Sequence, residues 1–214
     1  MRTLADLARH LNFRGCRQST GRRTTPIALL TDHRRLADPL PVVARLPAGS
    51  LVIFRHYETP ARAALARRLA KLCRSRRLHL AIAADFDLAV SLGCGLHLPE
   101  GVARQASPRI RLWHRRRGAP LTAAAHGRPG LARAARQGVD ALLLSPVFPT
   151  LSHPGKPSLG LLAFRRLVRL TPLDVYALGG VSTRTISGLV GSGAAGIAAI
   201  GGFDPNSLPK RIDD

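Results

Sequence analysis

Eight short apolar runs, separated by helix-type stretches, set the strongest limit on what this chain can fold into. In order they are IALLTD from Ile27, LVIFR from Leu51, LHLAIAA from Leu78, GLHL from Gly95, LTAAA from Leu121, ALLLSP from Ala141, VYALGG from Val175 and GIAAIGG from Gly196. Each is apolar on both faces rather than alternating, the pattern of parallel strands covered on both sides. Between them lie stretches with helix signals. TPARAALARRLAKLCRSRR offers Thr59 as a cap and Pro60 for the first turn. SLGLLAFRRLVRL repeats the scheme, and STRTISGLVGSG is expected to form a helix capped by Ser182 and stopped by glycines.

Eight β/α units of this size predict an α/β protein with a (β/α)8 TIM barrel in a single domain, a doubly wound open sheet being the alternative. The barrel is expected over 26–214, preceded by a helical and basic N-terminal extension over 1–25. That extension begins with a short amphipathic helix carrying Leu4, Leu7, Ala8 and Leu11 on one face. In either architecture function sits at the C-terminal ends of the strands.

Composition narrows the partners. The 214 residues carry 33 Lys+Arg against 12 Asp+Glu, a formal net charge of +21, which suits an anionic partner. The basic residues are spread over helix-type segments, however, and no recognition helix, zinc finger or RNP motif accompanies them, so nucleic acid is not the expected ligand. The three cysteines, Cys16, Cys73 and Cys94, are widely spaced with no CxxC pair, which fits a reducing cytoplasmic location. No apolar run approaches the ~20 residues of a membrane span, and the N-terminus lacks the apolar centre of a signal peptide.

The polar residues that follow the strands are therefore the candidates for chemistry: Asp32 and His33, Arg55 to Tyr57, Asp85 and Asp87, His97 and Glu100, His126, Ser145 to Lys156, Gly179 to Ser182, and Gly201 with Gly202. Paired glycines after the last two strands suit close approach of an anion to backbone N–H groups, aided by a helix N-terminus at Ser182. Thr150 and Ser152 are placed to donate hydrogen bonds to a phosphate ester, and Lys156 to reach in beside them.

LLLSPVFPTLSHPGKPSLGL followed by VYALGGVSTRTISGLVGSGAAGIAAIGGF resembles the thiamine phosphate synthase and TenI family, over roughly residues 27 to 203. That family carries a Gly-Pro-Val-Phe-x-Thr loop, an Ala-Ile-Gly-Gly-Ile turn and a Gly-Ala-x-Gly-Val-Ala final strand. The resemblance implies a barrel of thiamine biosynthesis acting on a thiazole phosphate. It also implies phosphate bound by Thr150, Ser152, Lys156, Gly179, Gly180, Ser182, Gly201 and Gly202.

The synthase branch joins a pyrimidine diphosphate to a thiazole phosphate with Mg²⁺. Several positions of its pattern are changed here. Its Gln-x-Arg-x-Lys group reads Ile53, Arg55 and Tyr57; its Asn-Asp pair reads Ala83 and Ala84; its second metal ligand is Val102; its fifth-strand Ser is Ala124; and its sixth-loop Lys is His153. Asp85 substitutes as a ligand only with a one-residue shift. The TenI branch aromatises a thiazole phosphate carboxylate by moving a proton, without metal, and carries Leu-Pro where Leu98 and Pro99 stand and a His where His126 stands. The resemblance thus implies His126 and Arg55 as the catalytic pair, no cofactor in the tautomerase reading, and Mg²⁺ if synthase activity is retained. A phosphate-ester-binding barrel without activity and a basic protein recruited to nucleic acid are the competing readings. The short eighth βα unit leaves one side of the barrel for a second copy of the chain or the N-terminal segment to cover.

Overall fold

In the computed structural model, all eight runs form strands: β1 Ile27–Leu30, β2 Leu51–Phe54, β3 His79–Ala83, β4 Gly95–Leu98, β5 Leu121–Ala125, β6 Ala141–Leu144, β7 Asp174–Leu178 and β8 Gly196–Ile200. The structure describes residues 3–11, 13, 25–102, 108–150, 155, 157–200 and 203. Each strand pairs in parallel with the next, and β8 pairs with β1 through Ile27↔Ile197 to Leu30↔Ile200, so the sheet closes on itself. The closed barrel is the expected fold, and the open sheet is excluded.

Two packed layers explain why the strands are apolar on both faces. Inside the barrel, Ala28, Leu30, Leu51, Ile53, Ala81, Ala83, Ala141, Leu143, Tyr176 and Ala198 form one buried cluster. The many alanines leave room for Tyr176, which is fully buried and sends its hydroxyl to the carbonyl of Thr25, 3.0 Å away, at the base of the barrel. Alternate residues such as Leu29, Val52, Phe54, Ile82 and Leu142 face outward into the larger cluster under the helices. Removing that apolar area from water, at about 25 cal/mol per Å², is the main force closing the barrel.

The helices are α1 Leu4–His10, α2 Leu40–Ala44, α3 Arg62–Ser75, α4 Phe86–Leu92, α5 Pro108–Arg117, α6 Arg128–Gln137 and α7 Gly160–Arg169. Three differ from their sequence signals. Helix α3 starts at Arg62 behind Ala61, which makes no side-chain cap, so Thr59 and Pro60 lie in the turn before it. The helix expected from Ser182 is instead a turn followed by a 3₁₀ helix, Ile186–Leu189, with Thr185 at its N-cap. Gly188 and Gly191 within that stretch disfavour a longer α-helix. Helix α7 begins two residues later than its run, at Gly160.

Helix α1 is closed by a capping box in which Thr3 and Asp6 exchange hydrogen bonds. Its Leu4, Ala5 and Ala8 are buried in the outer core, and Leu11 and Phe13 border a groove with Leu189, Val190 and Ala194 ahead of β8. The N-terminal segment therefore packs beside the segment that leads into β8. At the opposite register, the base of β5 is pinned by Asp140, which accepts from the Leu121 N–H at 2.8 Å and lies 3.4 Å from Nε2 of buried His114.

Candidate functional site at the barrel mouth

The inner cluster ends at the C-terminal face in Leu30, Ile53, Ala83, Leu178 and Ile200, an apolar floor ringed by the residues that follow each strand. His97, the third residue of β4, is buried at this level and its Nδ1 lies 2.9 Å from the Thr122 hydroxyl. Burial, and then the nearby charge of Arg55, hold its imidazole down at about 3, so it is neutral at physiological pH. It is a buried, neutral histidine rather than an exposed acid–base group.

Arg55 follows β2 directly, and its N–H donates to the Thr31 hydroxyl at 3.0 Å. The same hydroxyl meets Nδ1 of buried His56 at 2.9 Å, and the other ring nitrogen of His56 donates to the Leu36 carbonyl at 3.1 Å. The first two loops are thereby locked together, and Arg55 has a fixed backbone. Burial raises the Tyr57 phenol, while Arg55 and Arg62 beside it pull the other way.

His126 stands immediately after β5. Its Nδ1 lies 2.8 Å from the Ser145 carbonyl; a carbonyl only accepts, so Nδ1 carries a proton. The opposite nitrogen, Nε2, lies 3.6 Å from Oε2 of Glu100, and Oε1 of Glu100 is paired with Arg133 of α6. Glu100 and Arg133 are mostly covered, with side chains 19% and 17% exposed, whereas the His126 side chain is 57% exposed to the mouth. Arg55 and His126 share this face three strands apart, with no direct contact between them.

Between β6 and α7 the loop carrying Thr150 folds against the turn after β7. Val147 and Phe148 donate to the carbonyls of Leu178 and Gly179 at 2.9 and 3.0 Å. Gly180 has φ +66°, and a Cβ there would lie 2.4 Å from the Pro149 carbonyl. Its freedom is thus needed for packing against the neighbouring loop as well as for the turn. Among the described residues, the N–H groups of Gly180 and Val181 meet no acceptor, while the Ser182 N–H is taken by the Thr185 hydroxyl at 2.9 Å. Thr150 is half-buried in the adjoining loop. Ser152, His153, Lys156, Gly201 and Gly202 lie outside the described residues.

The positions where the synthase pattern holds metal do not fit a divalent cation. Ala83 is buried in the inner cluster and Ala84, at φ +59°, has no side-chain oxygen to offer. The carboxylate of Asp85 is already used: Oδ1 caps α4 through the Leu88 N–H at 3.0 Å, and Oδ2 accepts from Arg62 at 2.5 Å. Arg62 also donates to the Ala83 carbonyl at 2.8 Å. A guanidinium thus occupies the end of β3. Among the described residues no three His, Cys, Asp or Glu side chains gather as a ligand set, and Mg²⁺ needs several oxygens in near-octahedral array.

Glu100 was among the strand-end candidates, but its pairing with Arg133 and the place of Arg62 were not legible. Glu100 and Arg133 are 33 residues apart with no motif joining them, and Arg62 reads as one of many helix arginines.

Fold and mouth together define the chain as a parallel (β/α)8 barrel with a histidine, carboxylate and arginines at the C-terminal face. The chain belongs to the family of thiamine monophosphate synthase, whose model matches residues 27–203. It is 32% identical over 197 residues to the protein of Geobacter sulfurreducens named "Putative thiamine-phosphate synthase", covering 86% of this chain and 88% of that one. A thiamine-phosphate synthase of Parasynechococcus marenigrum is 31% identical over 156 residues, 70% of this chain and 42% of that one. Among solved structures, thiamine phosphate pyrophosphorylase from Pyrococcus furiosus superposes with a TM-score of 0.66 over 81% of this chain and 84% of that chain, at 23% identity, a likeness of fold.

Proposed function

We propose that this barrel acts on a thiazole phosphate in thiamine biosynthesis and that its chemistry is a metal-free proton transfer by His126. The observation that carries this reading is the contrast between two places in the mouth. At β5 an exposed imidazole is fixed through Nδ1, while at β3 the ligand positions hold Ala84 and an Asp85 engaged by Arg62.

The apolar floor suits a flat, uncharged heterocycle, and Arg55 suits the substrate's carboxylate. The phosphate is assigned to Thr150, Ser152, Lys156, Gly179, Gly180, Ser182, Gly201 and Gly202, with the N–H groups of Gly180 and Val181, which meet no acceptor among the described residues, as donors. In the reaction a C–H proton leaves the ring carbon for His126, its electron pair enters the ring, and a proton returns to another carbon of the same molecule. Atoms and electrons balance with no co-reactant. An imidazole fits the task because it can take and return a proton near neutral pH. The synthase reading requires Mg²⁺, for which the described donors are lacking. Small-molecule phosphates are the expected ligands, in a cytoplasmic setting, with assembly into homo-oligomers left to solution measurement.

Positioned proton transfer contributes about 10²–10⁴-fold. His126→Ala is expected to lower tautomerisation of the thiazole phosphate carboxylate by that order with phosphate-ester affinity nearly unchanged, read by product formation and by calorimetry. Full activity in His126→Ala would remove the assignment.

A further inference from the structure

We infer that Glu100 is the positioning residue for His126, its carboxylate holding by charge the ring whose Nε2 handles the substrate proton; this rests on the proton-transfer reading above. The geometry has four parts from three elements. Ser145, after β6, takes the Nδ1 proton at 2.8 Å and so fixes one edge of the ring. Glu100, after β4, faces the other edge at 3.6 Å. Arg133 on α6 holds the second oxygen of the same carboxylate. Gly130, one turn earlier on α6, makes the space: a Cβ there would lie 2.7 Å from Oε1 of Glu100 and 2.9 Å from the Ala125 side chain.

The division of labour follows from these contacts. With Nδ1 committed as a donor, only Nε2 can accept a proton from substrate. Once it does, the imidazolium lies 3.6 Å from the Glu100 carboxylate, whose charge stabilises the cation from beside Nε2 without taking the proton itself. Arg133 neutralises the carboxylate and keeps it from swinging to solvent. Without Glu100, a ring that is 57% exposed has one hydrogen-bonded edge and is free to turn about its side-chain torsions.

The test uses the whole chain and two readouts. The first is nitrogen–proton NMR of the ligand-free protein, which reports the His126 ring independently of turnover. The wild type is expected to show a protected Nδ1–H signal, and Glu100→Gln, of the same size, is expected to lose it. Glu100→Asp, which keeps the charge, should restore it in part. Arg133→Met gives the same loss without touching either partner of His126. The second readout is steady-state kinetics on the thiazole phosphate carboxylate. Glu100→Gln should lower kcat by about 10- to 100-fold, with KM changed less than about twofold, since the residue meets no substrate. A protected ring signal unchanged in Glu100→Gln and in Arg133→Met would overturn the positioning role, even in an active enzyme. Loss of the signal in both variants, with no turnover by wild type, would uphold the positioning and defeat the proton-transfer reading instead.

Discussion

His97 shows how a single side chain ties the site to the stability of the barrel. Its imidazole is held at about 3 by burial and then by Arg55, whereas in the unfolded chain it titrates near 6.5. The unfolded state therefore binds the extra proton between those values. Stability from this group is fully present above about pH 6.5 and falls as the pH drops through the window. His56, lowered chiefly by burial, acts in the same direction. His114 acts oppositely: burial disfavours its charge, but the hydrogen bond and charge of Asp140 outweigh this and raise it, so its contribution is lost as pH rises through its folded value. Urea unfolding of wild type at pH 7 and pH 5 is expected to show a larger loss than in His97→Asn. Equal losses would contradict the buried neutral state. At Gly180 the left-handed backbone and the Pro149 carbonyl make Gly180→Ala costly by about 1–2 kcal/mol from the backbone alone. Melting and inorganic phosphate binding should both suffer, and an unchanged melting temperature would argue against the packing. His126 was legible because it follows a strand in a recognisable motif. Its pairing with Glu100, and that of Glu100 with Arg133, was not, since these residues meet only through tertiary contact.

At the scale of elements, strands were legible and helix ends less so. A run such as ALLL leaves one choice once both faces are covered, because every residue of β6 is buried. Helix starts depend on a few local bonds. Thr59 and Pro60 looked like an N-terminus, but the Arg62 N–H bonds to the Thr59 carbonyl in a preceding turn. The segment after β7 carried a serine cap and became a 3₁₀ helix, with Ser182 bonded to Thr185 inside the turn. Helix α1 was read correctly as amphipathic, and burial of Leu4, Ala5 and Ala8 gives it a packing role. Burying one leucine stabilises by about 1.5–3 kcal/mol. Removal of residues 1–22 is therefore expected to lower unfolding free energy by at least ~2 kcal/mol, measured by urea. Unchanged stability would show that α1 only rests on the barrel.

For the whole molecule, the charge of +21 pointed toward polyanions, yet the arginines within the mouth have specific local partners. Arg62 is bonded to Asp85 and the β3 carbonyl, and Arg133 to Glu100. The family frame came from ordered motifs in the second half of the chain, and the changes at the pattern's metal-ligand positions are single residues such as Ala84 and Val102. Both were legible in sequence; that a guanidinium stands at the end of β3 was not. The most direct measurement is tautomerisation of the thiazole phosphate carboxylate by wild type in EDTA and in excess Mg²⁺, run beside condensation with the pyrimidine diphosphate. Equal tautomerisation in both conditions, abolished in His126→Ala, with no condensation, is the expected result. Turnover that appears only with Mg²⁺ and the pyrimidine diphosphate would contradict it.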